Sequence, residues 1–308
     1  GVALQEQGRL KESIQAYQKA IHIQPDYAST YNNLGLALKE QGKLEESIQV
    51  YQKAIEIQPQ FLAGHYNLGK VLQQQGGLEE SIQAYQKAIQ IQPDYAAAYN
   101  NLGIAWQKQG KLEQAVQIYN KTLVIRPNYP QAYNNLANTL KEQGKLQEAV
   151  QVYHKAIEIN SSYIDAHKNL GIVLLLQGDF QGGWQEYEWR LKSDDPCFAN
   201  HARTRWDGSS LSGKTILLYA EQGFGDTIQF IRFASLIKKN KGSILLMCQP
   251  KLADLLRSAP GIDEVFLIDE DMPNFDLHAP LLSAAKYTWF LQKKFPTINS
   301  YLKVPIVN

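Results

Sequence analysis

The chain has 308 residues, of which 44% are hydrophobic and 20% are charged, a balance typical of folded protein rather than of disordered chain. The formal net charge of +1 gives no strong electrostatic field, so we expect no nucleic-acid partner. The longest apolar runs, 172–176 and 244–248, are far shorter than the ~20 residues that a membrane-spanning helix needs, so no membrane span is expected.

The two cysteines, Cys197 and Cys248, form no metal-ligand spacing. We therefore predict no metal site and two free thiols in a reducing, cytoplasmic setting. The chain begins at Gly1 inside a repeat, so further sequence is expected upstream.

A glycine recurs with a period of 34 residues, and similar residues surround each copy. These glycines are Gly8, Gly42, Gly76, Gly110, Gly144 and Gly178. A period of this length is typical of a stacked array of repeats rather than of a closed globule. The period is lost after about Arg190, so a different kind of domain is expected beyond it.

Each unit is predicted to be a helical hairpin, as the unit 28–61 illustrates. Tyr31, Leu34 and Leu38 are three and four residues apart and mark one face of a first helix, which Gly42 ends. A second apolar face follows, and Pro59 prevents the second helix from continuing. Because each hairpin leaves an apolar side that only its neighbours can cover, the sequence predicts an α-solenoid.

The pattern resembles the tetratricopeptide repeat, in which an aromatic residue, Leu-Gly, a small residue, a second aromatic residue, Ala and Pro stand at fixed offsets. The unit 28–61 supplies them as Tyr31, Leu34, Gly35, Ser47, Tyr51, Ala54 and Pro59. The place of Gly35 is taken in later units by Gly69, Gly103 and Ala137, which we expect to be small because paired helices approach closely there. We predict an array over residues 1–192, made of a partial unit, whole units at 28–61, 62–95, 96–129 and 130–163, and an atypical last unit at 164–192.

A column of asparagines is not explained by stacking. It occupies one position in the first helix of each unit and consists of Asn33, Asn67, Asn101, Asn135 and Asn169. A primary amide has two donor hydrogens and an acceptor, so such a column can bond the backbone of an extended peptide. The arrays of protein O-linked N-acetylglucosamine transferases carry a similar ladder, which implies a protein or peptide ligand in the concave groove. The alternative is that the amides bond neighbouring helices or water and were copied with the repeats.

Residues 193–210 are predicted to form a junction, preceded by an aromatic stretch around Trp184 that we expect to dock the next domain. Gly208–Thr215 fits G-x4-G-K-[ST], the sequence of a phosphate-binding loop, which needs a strand before it and a helix after it. A strand is predicted after this loop and none before it. We therefore expect a turn here and no nucleotide triphosphate binding.

Strands and helices alternate from residue 211 to residue 308. Strands are predicted at Thr215–Ala220, Ser243–Cys248, Glu264–Ile268 and Asp276–His278, with a helix at Asp226–Lys241 that Gly242 ends and a short helix from Pro250 to Arg257. This alternation predicts a parallel sheet with helices on its faces, in which ligands lie beyond the carboxyl ends of the strands.

The loop in that place is 221–226. Gly223 and Gly225 allow the backbone to approach a ligand closely, whereas Ile228 stands where a dinucleotide fingerprint needs its third glycine. Asp226 and Gln229 also have the spacing of a capping box, which gives Asp226 a purely structural alternative role.

Residues 219–232 resemble the opening of the glycosyltransferase domain found behind tetratricopeptide arrays, a domain similar to the heptosyltransferases; the stretches 255–263 and 275–282 support the resemblance. It implies a Rossmann-like N-terminal half of a GT-B fold. By the same resemblance Asp226 is the candidate catalytic base that deprotonates an acceptor hydroxyl. The resemblance assigns the acceptor side to Gln222, Gly223, Gly225 and Gln229, with His278 as a further candidate.

The resemblance also implies a sugar nucleotide donor, bound by a second half that these residues do not include, so no cofactor and no sugar transfer are expected of residues 1–308 alone. The predicted function is a peptide-binding tetratricopeptide scaffold attached to the acceptor half of a glycosyltransferase. The alternative is a pure interaction scaffold with a non-catalytic α/β domain. Enzyme activity depends on whether the natural chain continues past Asn308.

Overall fold

A computed structural model describes residues 1–192, 204–221, 223–268, 270–271, 273–292 and 302. The chain divides into two compact units, Gly1–Val173 and Leu174–Asn308. The predicted domain boundaries at residues 192 and 210 stay predictions, because most of the junction, with Cys197, lies outside the described residues.

The first unit is a solenoid of paired helices. The helices from the start of the chain are α1 Val2–Glu6, α2 Leu10–Ile23, α3 Ala28–Glu40, α4 Leu44–Ile57, α5 Leu62–Gln75, α6 Leu78–Ile91, α7 Ala96–Lys108, α8 Leu112–Ile125, α9 Pro130–Glu142, α10 Leu146–Ile159, α11 Ile164–Leu176 and α12 Phe180–Tyr187. The predicted α-solenoid and its hairpins are therefore confirmed. Helix α12 belongs to the second unit.

Glycine follows the first helix of each hairpin because the backbone there turns through positive φ. Gly42 has φ of 83° and Gly110 has φ of 76°, and the amide of Lys43 donates to the carbonyl of Leu38 at 2.9 Å. A Cβ atom at either glycine would meet nothing within 4 Å. The backbone conformation, rather than lack of space, is what requires glycine.

The predicted close approach of paired helices is confirmed by a column of tyrosines on the second helices. Its members are Tyr17, Tyr51, Tyr85, Tyr119 and Tyr153. Tyr119 is 0% exposed, and a Cβ atom at Gly103 would lie 2.6 Å from its ring carbon Cε1. The ring thus packs directly on the backbone of the partner helix. Ala137 stands in the equivalent place in the unit 130–163, and the hydroxyl of Tyr153 donates to Oδ1 of Asn138 at 2.7 Å.

The second unit contains a five-stranded parallel sheet. Its strands are β1 Thr204–Arg205, β2 Thr215–Tyr219, β3 Ser243–Cys248, β4 Glu264–Leu267 and β5 Leu277–Pro280, in the order β1-β5-β2-β3-β4. The predicted parallel sheet is confirmed. Strand β5 begins one residue later than predicted and runs two residues further.

Helices and 3₁₀ turns precede, separate and follow these strands. They are α13 Phe224–Phe230, α14 Ala234–Ile237, α15 Ala253–Leu256 and α16 Leu281–Gln292, with 3₁₀ turns at Glu188–Lys192, Ile231–Phe233, Lys238–Asn240 and Pro250–Leu252. The predicted helix Asp226–Lys241 is therefore a broken series that starts at Phe224. Lys241, not Gly242, takes the left-handed conformation, with φ of 61°. Gly242 serves packing, because its Cβ would lie 2.5 Å from Cβ of Leu211.

The sheet has two apolar faces, since side chains alternate along each strand. Ile216, Leu218 and Cys248 lie in the larger core, which also contains Trp184. The ring centroids of Trp184 and Phe230 are 6.0 Å apart, so the aromatic stretch packs against the α/β part of its own unit. Leu217, Tyr219 and Met247 belong to a smaller core on the other face.

Candidate functional site

The asparagine column forms hydrogen bonds between successive repeats. Asn67, Asn135 and Asn169 donate through Nδ2 to Oδ1 of Asn32, Asn100 and Asn134, at 2.9, 3.1 and 3.1 Å. Asn101 donates to the hydroxyl of Tyr66 at 3.1 Å. Each acceptor lies 35 positions before its donor. One amide hydrogen of each of these four side chains is thus used inside the array, as the structural alternative requires.

The column amides keep further hydrogen-bonding capacity. Their side chains are half-buried, whereas the acceptors Asn32, Asn100 and Asn134 are buried. Asn67, Asn135 and Asn169 each retain a second amide hydrogen and an Oδ1 atom that bonds no other described residue. Because one bond already fixes each amide, its remaining groups are held in a defined orientation.

The acceptor position next to the column differs in the unit 62–95. Tyr66 occupies the register position that holds Asn32 and Asn100 in the neighbouring units. Its ring centroid is 5.0 Å from that of Tyr95, and Nζ of Lys70 lies 5.4 Å from the ring. Burial, with the neighbouring tyrosines, raises the pKa of the Tyr66 hydroxyl. The role of Tyr66 was not predicted from the sequence. Its signal was that Tyr66 and Lys70, within five residues, both depart from the residues at these positions in the neighbouring units.

In the second unit, the segment 221–226 follows β2 along the chain, as predicted, and its last three residues begin α13. Gly223 is the residue before α13, and Gly225 lies inside that helix. A Cβ atom at either glycine would meet nothing within 4 Å, so the space beside the backbone is open. Gln229 is exposed on α13. Gln222 lies outside the described residues.

Asp226 does not cap the helix, so the capping-box alternative is wrong. The helix starts two residues earlier, with Gly223 at its N-cap and no side-chain cap bond. Asp226 is half-buried in the first turn, where a carboxylate is favoured by the helix dipole. Thr227 anchors this turn instead, through hydrogen bonds from Oγ1 to the carbonyl of Gly223 at 3.3 Å and to Oε1 of Gln249 at 3.2 Å.

His278 is buried within β5 rather than at the loop. Its ring lies 6.0 Å from that of Tyr219 and 6.3 Å from that of Phe275, centroid to centroid. Those residues line the smaller core, whereas Ile228 of α13 packs against the larger core on the other face. The structure therefore places the His278 side chain apart from α13.

A buried ionic cluster beside the loop was not predicted. Nε and Nη2 of Arg190 donate to the two carboxylate oxygens of Glu221 at 3.1 and 3.2 Å. Nη1 donates to Glu188 at 2.7 Å, and Nη2 donates to the hydroxyl of Ser283 at 2.9 Å. Arg190 therefore forms buried ion pairs with both carboxylates. Its only sequence signal was a carboxylate directly after a buried strand.

The charge balance of this cluster explains how it tolerates burial. Burial alone would lower the pKa of the Arg190 guanidinium, but the carboxylates of Glu221 and Glu188 outweigh it and raise that pKa. Burial raises the pKa of the Glu221 carboxyl, against the influence of Arg190. The amide of Leu282 donates to Glu221 at 3.3 Å. Glu221 and Thr227 thus fix the two ends of the loop.

The phosphate-loop sequence at Gly208–Thr215 leads into a strand, as predicted, and not into a helix. The prediction that no strand precedes it is wrong, because the two residues of β1 pair with β5. The segment between is a turn, in which Nε1 of Trp206 donates to the carbonyl of Ser209 at 2.8 Å. The helix N-terminus that phosphate binding requires is absent from this described segment.

Membrane spans and metal sites are both missing from the described part of the chain. No helix there is long and apolar enough to cross a bilayer. No group of three or more His, Cys, Asp or Glu side chains is placed there to hold a metal ion.

Five matches to the model of the TPR repeat family cover residues 1–42, 37–76, 73–110, 107–144 and 137–178. Together they span residues 1–178, which is more than half of the chain. The chain therefore belongs to the TPR repeat family, and the array is a TPR scaffold. No curated protein matches the chain.

Solved structures support the solenoid fold. The chain is similar to pilF of Pseudomonas aeruginosa, with 20% identity, a TM-score of 0.55, and coverage of 65% of this chain and 90% of that one. It is also similar to MamA of Desulfovibrio magneticus RS-1, in a structure that starts at residue 41 of MamA, with 18% identity and a TM-score of 0.50. This match covers 55% of this chain and 98% of that one. A chain of the APC/C hetero-tetramer Cut9–Hcn1 matches with 17% identity, a TM-score of 0.54, and coverage of 64% and 39%. At these identities the likeness concerns the fold alone.

Proposed function

We propose that the array is a protein-binding scaffold that holds an extended peptide along the asparagine column. The observation that carries the proposal is the set of half-buried amides already fixed by bonds to the preceding repeat. Their remaining donor and acceptor groups match the N–H and C=O groups of a peptide backbone. Because these side chains are ordered before binding, little rotamer entropy is lost when the peptide arrives.

Two matched triple variants test this role. Asn67→Ala/Asn135→Ala/Asn169→Ala removes the column amides, and Asn32→Ala/Asn100→Ala/Asn134→Ala removes their acceptors. Both sets break the same three bonds between repeats. Peptides selected by the wild-type chain from a random library are then titrated against each variant by fluorescence anisotropy.

The column variant should bind the selected peptides at least ~10-fold more weakly, a loss of about 1.4 kcal/mol. The acceptor variant should lose less affinity, because its column amides remain and only their prior ordering is lost. Equal losses in both variants would show that the column only joins repeats. Circular dichroism and urea titration establish that both variants are folded.

For the second unit we propose the acceptor-side, Rossmann-like half of a GT-B glycosyltransferase similar to the heptosyltransferases. Support comes from the parallel sheet and from the open, glycine-lined loop at the carboxyl end of β2, anchored at both ends by Glu221 and Thr227. In this proposal Asp226 is the catalytic base and a sugar nucleotide is the donor. A cytoplasmic setting is part of the proposal.

The test is Asp226→Asn in a chain that also carries a donor-binding half. The proposal requires that sugar transfer to an acceptor is lost while the melting temperature is kept, because Asp226 makes no hydrogen bond to another described residue. Thr227→Ser serves as a control that keeps the loop anchor. Transfer that survives Asp226→Asn would favour a non-catalytic α/β unit.

A further inference from the structure

The repeats of this chain act as internal controls for one another. The position of Tyr66 holds Asn32, Asn100, Asn134 and Lys168 in the other units, and that of Lys70 holds Leu36, Ile104, Asn138 and Ile172. Only the unit 62–95 pairs an aromatic ring with a cation at these two positions. Duplication alone does not account for such a paired departure.

The two residues meet in space. Nζ of Lys70 lies 5.4 Å from the centroid of the Tyr66 ring, within range of a cation–π contact. Tyr95 packs edge-on against the same ring, and Asn101 donates to its hydroxyl. The Tyr66 ring is therefore held by Tyr95 and its hydroxyl by Asn101. The Lys70 ammonium group lies near this ordered ring, next to the asparagine column.

The Lys70 ammonium group has no carboxylate partner among the described residues. Lys70 is half-buried, and neither it nor Lys39 forms an ion pair with a carboxylate of the described residues. Burial, and then the positive charge of Lys39 on the preceding repeat, lower the pKa of Lys70. An anion brought to this point would regain the electrostatic energy that burial costs.

We propose that Lys70 and Tyr66 form a subsite for the carboxylate of an Asp or Glu side chain within an extended peptide that lies along the asparagine column. The inference rests on the proposed peptide-binding function. A side chain is favoured over a peptide C-terminus because column amides continue on both sides of Lys70, from Asn33 to Asn169. A peptide that follows them passes through the subsite rather than ending there.

The test uses a random peptide library with amidated C-termini, so that only side chains supply carboxylates. Wild type is compared with Lys70→Ile and Tyr66→Asn, which copy Ile104 and Asn100 of the next repeat and so suit the fold. Lys87→Gln is the control for loss of one positive charge, because Lys87 lies on α6 and donates to Gln90. Selected peptides and their Asp→Asn or Glu→Gln forms are titrated by calorimetry.

The proposal expects wild type to select one fixed acidic position, and expects its amide form to bind about 10-fold more weakly. Lys70→Ile should abolish that difference, and Lys87→Gln should preserve it. Selected peptides without an acidic position, or equal effects of Lys70→Ile and Lys87→Gln, overturn the subsite and leave the scaffold function standing. Selection only from a library with free C-termini also overturns it, in favour of a terminal carboxylate. Failure to select any peptide overturns the scaffold function and the subsite together.

Discussion

Tyr51 shows what a single side chain decides inside a repeat. The hydroxyl groups of Tyr85 and Tyr119 donate to Gln73 and Gln107 at 2.9 and 3.3 Å, each twelve positions earlier. Lysine occupies that place before Tyr51, and the buried Tyr51 hydroxyl has no hydrogen-bond partner among the described residues. A buried polar group left unpaired costs free energy, so the repeat 28–61 is weaker than its neighbours at this point.

Lys39→Gln should therefore stabilise the array by about 0.5–1.5 kcal/mol, because the glutamine can accept from Tyr51 as Gln73 does from Tyr85. The reciprocal change, Gln73→Lys, should destabilise it by a similar amount. Urea unfolding followed by circular dichroism measures both. Changes of the same sign in the two variants would show that the hydroxyl partner is not the cause.

At Arg190 we predict a substitution that destabilises the second unit. Arg190→Met removes the guanidinium from between the largely buried carboxylates of Glu221 and Glu188. Among the described residues, Lys286 remains 3.5 Å from Glu188. The expected loss is about 3–5 kcal/mol of unfolding free energy. Arg190→Met/Glu221→Gln should recover part of it.

Arg257→Met is the matched control for Arg190→Met. The Arg257–Asp254 pair is exposed, so its loss should cost about 0–1 kcal/mol. Denaturant titration of the three variants compares them. A cost for Arg190→Met no larger than that for Arg257→Met would contradict the view that its charges are mutually dependent.

The close approach of paired helices limits the size of the side chain that each hairpin accepts at the position of Gly103. Gly103→Ala should cost about 1–3 kcal/mol, because the added methyl would lie 2.6 Å from the Tyr119 ring. The unit 130–163 contains alanine at this place and provides a hydroxyl acceptor, Asn138, on the next residue. The double variant Gly103→Ala/Ile104→Asn copies that solution.

A double-mutant cycle over these two positions should give a favourable coupling of about 0.5–3 kcal/mol. Thermal and urea unfolding of wild type, the two single variants and the double variant supply the four free energies. Additive effects would mean that Asn138 does not compensate for Ala137.

At the scale of elements, the sequence predicted the hairpins and the main strands because their apolar periods are strong. It did not predict α16, since Leu281–Ala285 is buried throughout and has no polar face to reveal a helical period. It also missed β1, whose two exposed residues have no alternation. The column amides were identified, but their bonds to the preceding repeat depend on how neighbouring units stack, which periodicity alone does not specify.

The tyrosine column gives the whole array a common response to alkaline pH. Burial raises the pKa of Tyr51, Tyr85, Tyr119 and Tyr153 above the ordinary value of about 10. Because the unfolded chain releases these protons first, the stabilisation is complete below about pH 10 and is lost as the pH rises toward the folded values.

Tyrosinate absorbance from this column should therefore appear together with the loss of helical circular dichroism. Tyr119→Phe removes one ionisable group, so its stability should improve relative to wild type by up to about 1.4 kcal/mol per pH unit above pH 10. Parallel stability profiles for the two proteins would contradict the prediction.

The buried thiol at the end of β3 allows opening of the second unit to be measured separately from opening of the array. Cys248 is free and 0% exposed, and burial raises its pKa to about 11. An alkylating reagent can reach it only when the sheet opens, so with Cys197 replaced by serine the labelling rate counts opening events. Tyrosinate absorbance reports unfolding of the solenoid, and alkylation of Cys248 reports opening of the sheet. Both signals can be recorded on one sample, which shows which unit opens first.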